Sequence, residues 1–319
     1  MKNKKIVFMG TPNFSVPILK MLINDFGVNL VITQPDKKIG RKKILTPSPV
    51  KVLAEEHNIK VLQPINISHD EEVFNELKLL NPDIIITAAY GQLIPEKILN
   101  LPEYKCVNVH GSLLPELRGG APIQYSILKD FKETGVTIMY MEKSLDSGDM
   151  ISKASFPILD SDNYQSVHDK MSLLGRDLLK ETLPNIFSKN INPVKQDHSQ
   201  ATFAPNISRK DEQINWNENA RTIFNKIRAF DPAPGAFTYL YKDIFKIWKA
   251  QEVFDIENND KSVGTIIKQE NNALFIKCGD NTVLKLLEVQ MSGKKRVDIK
   301  SFLSNKKDYL GIRLGDLNE

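Results

Sequence analysis

Short apolar runs rich in β-branched residues alternate with amphipathic stretches along the first two thirds of the chain, and this alternation constrains the fold more than any other feature. Strands are expected at Lys5–Met9, Asn29–Ile32, Lys60–Leu62, Asp83–Ala88, Cys106–Val109 and Gly135–Tyr140. Between them the spacing predicts helices at Val16–Leu22, with Ser15 as N-cap and Pro17 in the first turn, and at Pro49–His57, capped by Ser48. Further helices are expected at Asp70–Leu80, Ala121–Leu128 and Tyr164–Phe187. Strands that are nearly continuous apolar runs, alternating with helices, are the pattern of an α/β protein whose largely parallel sheet is covered on both faces. The arrangement resembles the first half of a dinucleotide-binding fold, but Gly10-Thr-Pro-Asn13 follows the first strand in place of a Gly-rich fingerprint. A nicotinamide cofactor is therefore not expected.

At residues 189–208 the composition shifts to Asn, Lys, Pro, Gln and Ser with little periodicity, as in a linker. The expected organisation is a catalytic domain at 1–188, this linker, and a smaller domain at 209–319. In the last, Ala220, Ile223, Phe224, Ile227 and Phe230 fall at helical spacing up to Asp231-Pro232. Five short strand signals follow, at Ala236–Tyr241, Phe245–Ala250, Gly264–Ile267, Ala273–Cys278 and Val283–Val289. Close spacing of this kind points to a small OB-like β-barrel, an architecture that often holds nucleic acids.

Composition narrows the class. The chain has 319 residues, 41% hydrophobic and 26% charged, the make-up of a soluble globular protein of two domains. No apolar run approaches the roughly 20 residues of a membrane helix, and Met1-Lys-Asn-Lys-Lys5 leads straight into a strand, so neither a membrane partner nor a targeting segment is expected. Cys106 and Cys278 stand in separate hydrophobic strands and read as reduced core residues of a cytoplasmic protein. The net charge of +4 permits an anionic partner without requiring one.

The chemistry concentrates in Cys106-Val-Asn-Val-His-Gly-Ser-Leu-Leu-Pro-Glu-Leu-Arg-Gly-Gly-Ala-Pro122. Residues two apart on a strand share a face, so Asn108 and His110 are presented together while Val107 and Val109 point the other way. A third group is offered after the next strand by Lys143-Ser-Leu-Asp-Ser-Gly-Asp149, where a turn brings Asp146, or its rival Asp149, back over the strand end. An amide donor, an imidazole and a carboxylate in one cleft suit acyl transfer to an amine. No serine or cysteine stands beside them as a nucleophile, so direct attack by the substrate amine is expected. Cys106 and His110 supply at most two metal ligands, so no metal is expected. His57, His69, His168 and His198 lie in amphipathic or polar stretches and read as solvated or packing residues.

Asn108-Val-His-Gly-Ser-Leu-Leu-Pro115, Arg118-Gly-Gly-Ala-Pro122, Leu145-Asp-Ser-Gly-Asp149 and Gly10-Thr-Pro12 together resemble the methionyl-tRNA formyltransferase family, and the likeness runs through nearly the whole chain. The resemblance implies a Rossmann-like domain joined to a C-terminal barrel. It also implies, as activity, formyl transfer from 10-formyltetrahydrofolate, a cosubstrate, to the α-amine of methionyl initiator tRNA. It implies Asn108, His110 and Asp146 as the catalytic trio, and Ser112, Leu113, Leu114 and Pro115 along the folate. Tyr90, Gly91, Gln92, Leu93, Ile94 and Pro95 would shape the pterin pocket. A monomer is expected from the same likeness.

The trio alone leaves the acceptor open. Glycinamide ribonucleotide formyltransferases resemble this domain and share such a set, and an amino-sugar nucleotide acceptor or a formyl hydrolase is a further alternative. A non-catalytic RNA-binding protein would have no reason to hold the trio together. Two features favour tRNA. Five cations within seven positions, Lys37, Lys38, Arg41, Lys42 and Lys43, form a basic arm suited to acceptor-stem phosphates, and Gly40-Arg41 matches a Gly-Arg pair of the family. In the C-terminal domain, Lys246 and Lys249, with Lys294, Lys295, Arg296 and Trp248 nearby in sequence, are expected to form a second basic face. The chain departs from the family pattern at Ala233, where tryptophan is common, and at Lys38-Ile39, in place of Pro-Ala.

Overall fold

Every residue of the first strand is buried, as in a strand with neighbours on both sides and cover on both faces. The computed structural model describes residues 4–40, 42–254, 256 and 260–315. The chain runs β1 (Ile6–Gly10), α1 (Val16–Asp25), β2 (Leu30–Ile32), β3 (Lys37–Ile39), β4 (Ile44–Thr46), α2 (Pro49–Glu56) and β5 (Lys60–Leu62). It continues through α3 (Glu71–Leu80), β6 (Ile84–Ala88), α4 (Glu96–Leu99), β7 (Cys106–His110), α5 (Pro122–Leu128), β8 (Glu133–Tyr140), β9 (Met150–Pro157) and α6 (Tyr164–Phe187). Then follow α7 (Ala220–Ala229), β10 (Phe237–Leu240), β11 (Asp243–Val253), β12 (Ile266–Glu270), β13 (Ala273–Lys277), β14 (Val283–Met291), β15 (Val297–Asp298) and α8 (Ile299–Phe302).

Two compact units result. One comprises Met1–Pro122, Glu133–Pro157 and His168–Pro205; the other comprises Ile123–Lys132, Ile158–Val167 and Asn206–Glu319. In the first, seven strands lie in the order β5-β2-β1-β6-β7-β8-β9. The first five in that order pair in parallel. The order reverses between β1 and β6, and in open α/β sheets the crevice outside the carboxyl ends at such a reversal is where ligands bind. Gly10 lies there, where an added Cβ would come 2.7 Å from the Phe8 ring and 2.9 Å from the Ala88 carbonyl oxygen. Ser15 does not cap α1 as expected: a 3₁₀ turn at Asn13–Ser15 precedes the helix, and the Ser15 hydroxyl donates to the Ala88 carbonyl across the reversal at 2.6 Å. Ser48 does cap α2, accepting from the Lys51 N–H at 3.1 Å.

Three local features depart from the sequence reading. Strands β8 and β9 run antiparallel to their neighbours, at one end of an otherwise parallel sheet. Strand β9 escapes sequence detection because its residues are half-buried or exposed and polar ones interleave with apolar ones. The basic arm is a two-stranded hairpin of β3 and β4, pairing Lys37 with Thr46, Lys38 with Leu45 and Ile39 with Ile44. Its residues are exposed, so burial imposes no apolar period on it. The polar stretch 189–208, expected as a linker, stays with the first unit as far as Pro205, and Val194 and Met150 exchange backbone hydrogen bonds at 2.8 Å.

In the second unit, α7 is capped by Asn219, whose side chain accepts from the Thr222 N–H at 2.9 Å, and buries Ala220, Ile223 and Ile227. The strands form an antiparallel sheet ordered β10-β11-β14-β13-β12, with β15 on β14, in keeping with an OB-like domain. Register shifts on both sides of Lys249 bend β11. No helix among the described residues is long and apolar enough to cross a membrane.

Candidate active site

Asn108 and His110 occupy the carboxyl end of β7, beside the crevice, and the neighbouring strand fixes how the first of them is turned. Thr87 pairs with Asn108 across β6 and β7, and its hydroxyl donates to Asn108 Oδ1 at 2.7 Å. The amide oxygen is thereby engaged and the Nδ2 hydrogens are left for another acceptor. His110, only 5% exposed, holds the Leu117 carbonyl through Nε2 at 3.1 Å. A carbonyl only accepts, so Nε2 carries the proton and Nδ1 is the free ring nitrogen.

That nitrogen faces Asp146. Because β8 is antiparallel, its end lies beside the start of β7, where the Met141 N–H bonds the Cys106 carbonyl at 2.9 Å. The chain then folds back, so that Asp146 Oδ1 lies 3.7 Å from His110 Nδ1 while Oδ2 accepts from the Gly119 N–H at 2.8 Å. The 3.7 Å separation exceeds hydrogen-bond reach, so the two groups face each other without bonding directly. The main-chain carbonyl of Asp149 accepts from the Tyr140 N–H at 2.9 Å. A Cβ at Gly148 would come 2.1 Å from the Tyr140 oxygen, so the turn requires glycine there.

The two expected folate walls divide between inward and outward residues. Ser112 is buried with its hydroxyl donated to the Glu116 carbonyl at 2.6 Å. Leu114 is buried, its N–H bonds Thr137 Oγ1 at 3.1 Å, and its carbonyl accepts from Lys153 Nζ. Leu113 and Pro115 are the partly exposed members. In the other loop, Tyr90 and Ile94 are buried in the core, and burial, with the Asp70 charge adding, pushes the Tyr90 phenol up. Gly91 and Leu93 are exposed, Pro95 is half-buried, and Gln92 ties the loop to its neighbour by accepting from the Ile67 N–H at 2.8 Å and donating to the Pro64 carbonyl at 3.1 Å.

Several site residues escape the sequence reading. Thr87 had a legible signal, a polar residue inside the wholly buried run Ile-Ile-Ile-Thr-Ala of β6. Replacing it by valine removes the bond that orients Asn108, so Thr87→Val is expected to lower turnover about tenfold, the worth of one hydrogen bond. Steady-state kinetics check this; unchanged kcat would show that Asn108 needs no such support. A second group lies around Arg118, which is 6% exposed and donates through Nε and Nη2 to Gln196 Oε1 at 3.1 and 2.6 Å. Arg118 Nη2 also donates to His198 Nδ1 at 3.0 Å. Nothing in the aperiodic polar stretch around Gln196 marks it in sequence.

Of the basic residues, Lys37, Lys38, Lys42 and Lys43 are exposed on the hairpin and its turn, and Arg41 lies outside the described residues. Lys249 is exposed. Lys246 is engaged within its unit: its ammonium donates to the Pro234 carbonyl at 2.5 Å, and burial lowers its pKa. Arg296 is held by Glu288 at 2.5 and 2.8 Å and by Asp231 at 2.5 Å, with its guanidinium 4.8 Å from the Trp248 ring centroid.

An amide, an imidazole and a carboxylate are thus brought together at the carboxyl end of β7, next to the strand where the parallel order reverses. Residues 4–183 match the family model described as formyl transferase and residues 206–307 the one described as formyl transferase, C-terminal domain. The chain therefore belongs to the formyl transferase family. Within it, the chain is similar to methionyl-tRNA formyltransferase of Bacillus velezensis, 50% identical over 316 residues that cover 99% of each chain. The Bacillus subtilis enzyme of that name is 46% identical over 316 residues, with the same coverage. The fold recurs in the N-formyltransferase of Helicobacter canadensis solved with folinic acid and dTDP-3-aminofucose (TM-score 0.67, 20% identity, 90% of this chain and 99% of that one). It recurs too in HypX of Aquifex aeolicus solved with tetrahydrofolic acid (TM-score 0.60, 15% identity, 95% of this chain and 47% of that one).

Proposed function

We propose that this protein transfers the formyl group of 10-formyltetrahydrofolate to the α-amine of methionyl initiator tRNA, giving the formylmethionyl-tRNA that starts bacterial protein synthesis in the cytoplasm. The observation that carries the chemistry is the approach of Asp146 to His110 Nδ1 beside an oriented Asn108 amide. The identity of 44–50% with methionyl-tRNA formyltransferases along both family domains favours the tRNA acceptor over a small amine.

In this reading Asp146, directly or through a water, takes the proton of the methionine ammonium, and the free amine attacks the formyl carbon. The proton passes to His110 Nδ1, and the imidazolium with the Asn108 Nδ2–H stabilises the tetrahedral oxyanion. As the intermediate collapses, the carbon–N10 bond of the folate breaks, the second proton of the amine nitrogen goes to N10, and the proton held on His110 is released to solvent, which restores the neutral imidazole. Leu113 and Pro115, with the loop at Tyr90–Pro95, form the folate walls. The basic hairpin and Lys249 take phosphates of the tRNA, and the protein acts as a monomer.

The test is transfer of label from 10-formyltetrahydrofolate to charged initiator tRNA, against glycinamide ribonucleotide and an amino-sugar nucleotide. Preference for either small amine by kcat/KM would overturn the acceptor assignment. Arg41→Ala is expected to raise the KM for tRNA several-fold, leave the folate KM unchanged, and reduce the salt slope of tRNA binding by about one phosphate contact. An unchanged slope would remove Arg41 from the interface.

A further inference from the structure

We infer that Gln196 is a positioning residue for Asp146, oriented for that task by Arg118. The inference rests on the catalytic reading of Asp146 given above. Asp146 has φ of 48°, in the left-handed region, which is uncommon for any residue but glycine though tolerated by aspartate, and its surroundings fix it there. Holds from distant parts of the chain do so. The Gly119 N–H takes Oδ2, and Gln196 Nε2 donates to the carbonyls of Asp146 and Gly148 at 2.9 and 2.8 Å. Both hydrogens of one amide are thus spent on the main chain on either side of Ser147.

The other end of that amide explains its orientation. Gln196 Oε1 receives two bonds from Arg118, and a guanidinium only donates, so oxygen must face Arg118 and nitrogen must face the Asp146 turn. Arg118 is buried against neutral acceptors, Gln196 and the unprotonated Nδ1 of His198, an expensive setting for a cation. Its own backbone is fixed from the same stretch: its N–H bonds the Thr202 carbonyl at 2.9 Å and its carbonyl accepts from the Ala204 N–H at 2.8 Å. A Cβ at Gly119 would come 2.7 Å from the Ala204 oxygen. The dipeptide Arg118-Gly119 therefore grips the carboxylate of Asp146 directly and its backbone through Gln196. Freed from Gln196, the turn relaxes toward negative φ and carries the carboxylate away from His110.

Gln196→Met keeps the length of the side chain and removes both donors. On the full chain with charged initiator tRNA, kcat is expected to fall about 30–100-fold, the effect of a displacement near 1 Å in a reacting group. The KM values for tRNA and folate should stay near wild type, since Gln196 is only 5% exposed and acts through the turn. Gln196→Glu keeps the Arg118 contact as an ion pair but sets a carboxylate oxygen against the Asp146 and Gly148 carbonyls; it should lose turnover at least as heavily, while the ion pair with buried Arg118 offsets stability lost at the two carbonyls. A merely structural residue would show loss of rate and loss of stability together. In an Asp146→Asn background, Gln196→Met should add no further loss, because it acts only through Asp146. Wild-type kcat in Gln196→Met, even with Gln196→Glu impaired, overturns the inference, and so does an additive double variant. Full activity of Asp146→Asn alone overturns instead the catalytic reading beneath it.

Discussion

His110→Ala is expected to lower kcat for formyl transfer by on the order of 10²–10³-fold, with Asn108→Ala close to it, while the KM values for both substrates hold near wild type. In the proposed mechanism the loss falls on kcat, because these groups would bond an oxygen that bears charge only in the transition state. Asn108 has its amide oxygen occupied by Thr87 at 2.7 Å, so its Nδ2–H is available without reorganisation. In Asn108→Ala the Thr87 hydroxyl still has the Val107 carbonyl at 3.4 Å, and the fold should be untouched. His110→Ala leaves the Leu117 carbonyl without its imidazole partner, a cost of about 1–3 kcal/mol that a thermal scan registers without abolishing the native state. The double variant should lose little more than either single one, since the two act as a unit. Near-wild-type turnover in either single variant would remove that residue from the chemistry.

The second effect is on stability and lies elsewhere, at Arg221. Its guanidinium bonds Asp130 at 2.6 and 3.0 Å, Asp160 at 2.6 Å and Glu252 at 3.2 Å, with a quarter of the side chain exposed. Arg221→Met leaves Asp160 and Glu252 without this guanidinium and Asp130 with only Lys132 and Arg228, and should destabilise the protein by about 1–3 kcal/mol at pH 7, below the range for a fully buried pair because these groups are partly exposed. The sign of the pH dependence follows from the carboxyls. Burial acts to raise Asp130, but the bonds from Arg221, Lys132 and Asn225 outweigh it and hold the group well below the carboxylate range; the Arg221 bond lowers Asp160 too. Groups with depressed values stabilise fully above the ordinary carboxylate pKa of about 4 and lose that contribution as pH falls through the folded values. The difference between wild type and Arg221→Met should thus be greatest near neutrality and shrink below about pH 4. Thermal midpoints of both proteins at several pH values decide it. A gap that stays constant with pH would sink the electrostatic account in favour of lost packing by the arginine stem.

How much of this was legible in sequence depends on burial. Helix α6 has the bounds its periodicity predicts, because one face is buried along its length. Strand β1, apolar throughout, and β6, apolar except for Thr87, declare themselves for the same reason. Asn108 and His110 stand out because a period of two inside an apolar strand makes polar residues conspicuous, and Asp146 because Ser-Gly after it marks a turn. The hairpin of β3 and β4 and the edge strand β9 bury little and leave no period to read. Gln196 is of a third kind. Its contacts are with residues some 50 and 78 positions away, and its neighbours are polar and aperiodic, so its place at the site is a product of the fold alone.

The division of the chain between the two units has a consequence for the order in which the protein is made. The first unit is not a continuous piece of polypeptide: the chain leaves it at Pro122 and again at Pro157, and returns each time before closing it at Pro205. A ribosome delivers the nascent chain from its N-terminus, so the sheet with Asn108 and His110 emerges early, while Gln196, Thr202 and Ala204 arrive only with the last segment of that unit. The carboxylate at Asp146 must wait for them. Arg221 comes later still, and until it does Asp130 and Asp160, already exposed from the tunnel, carry charges with no guanidinium to answer them. With Gln196 positioning Asp146 as inferred above, competence develops late in synthesis, well after most of the sheet that carries Asn108 and His110 has left the ribosome.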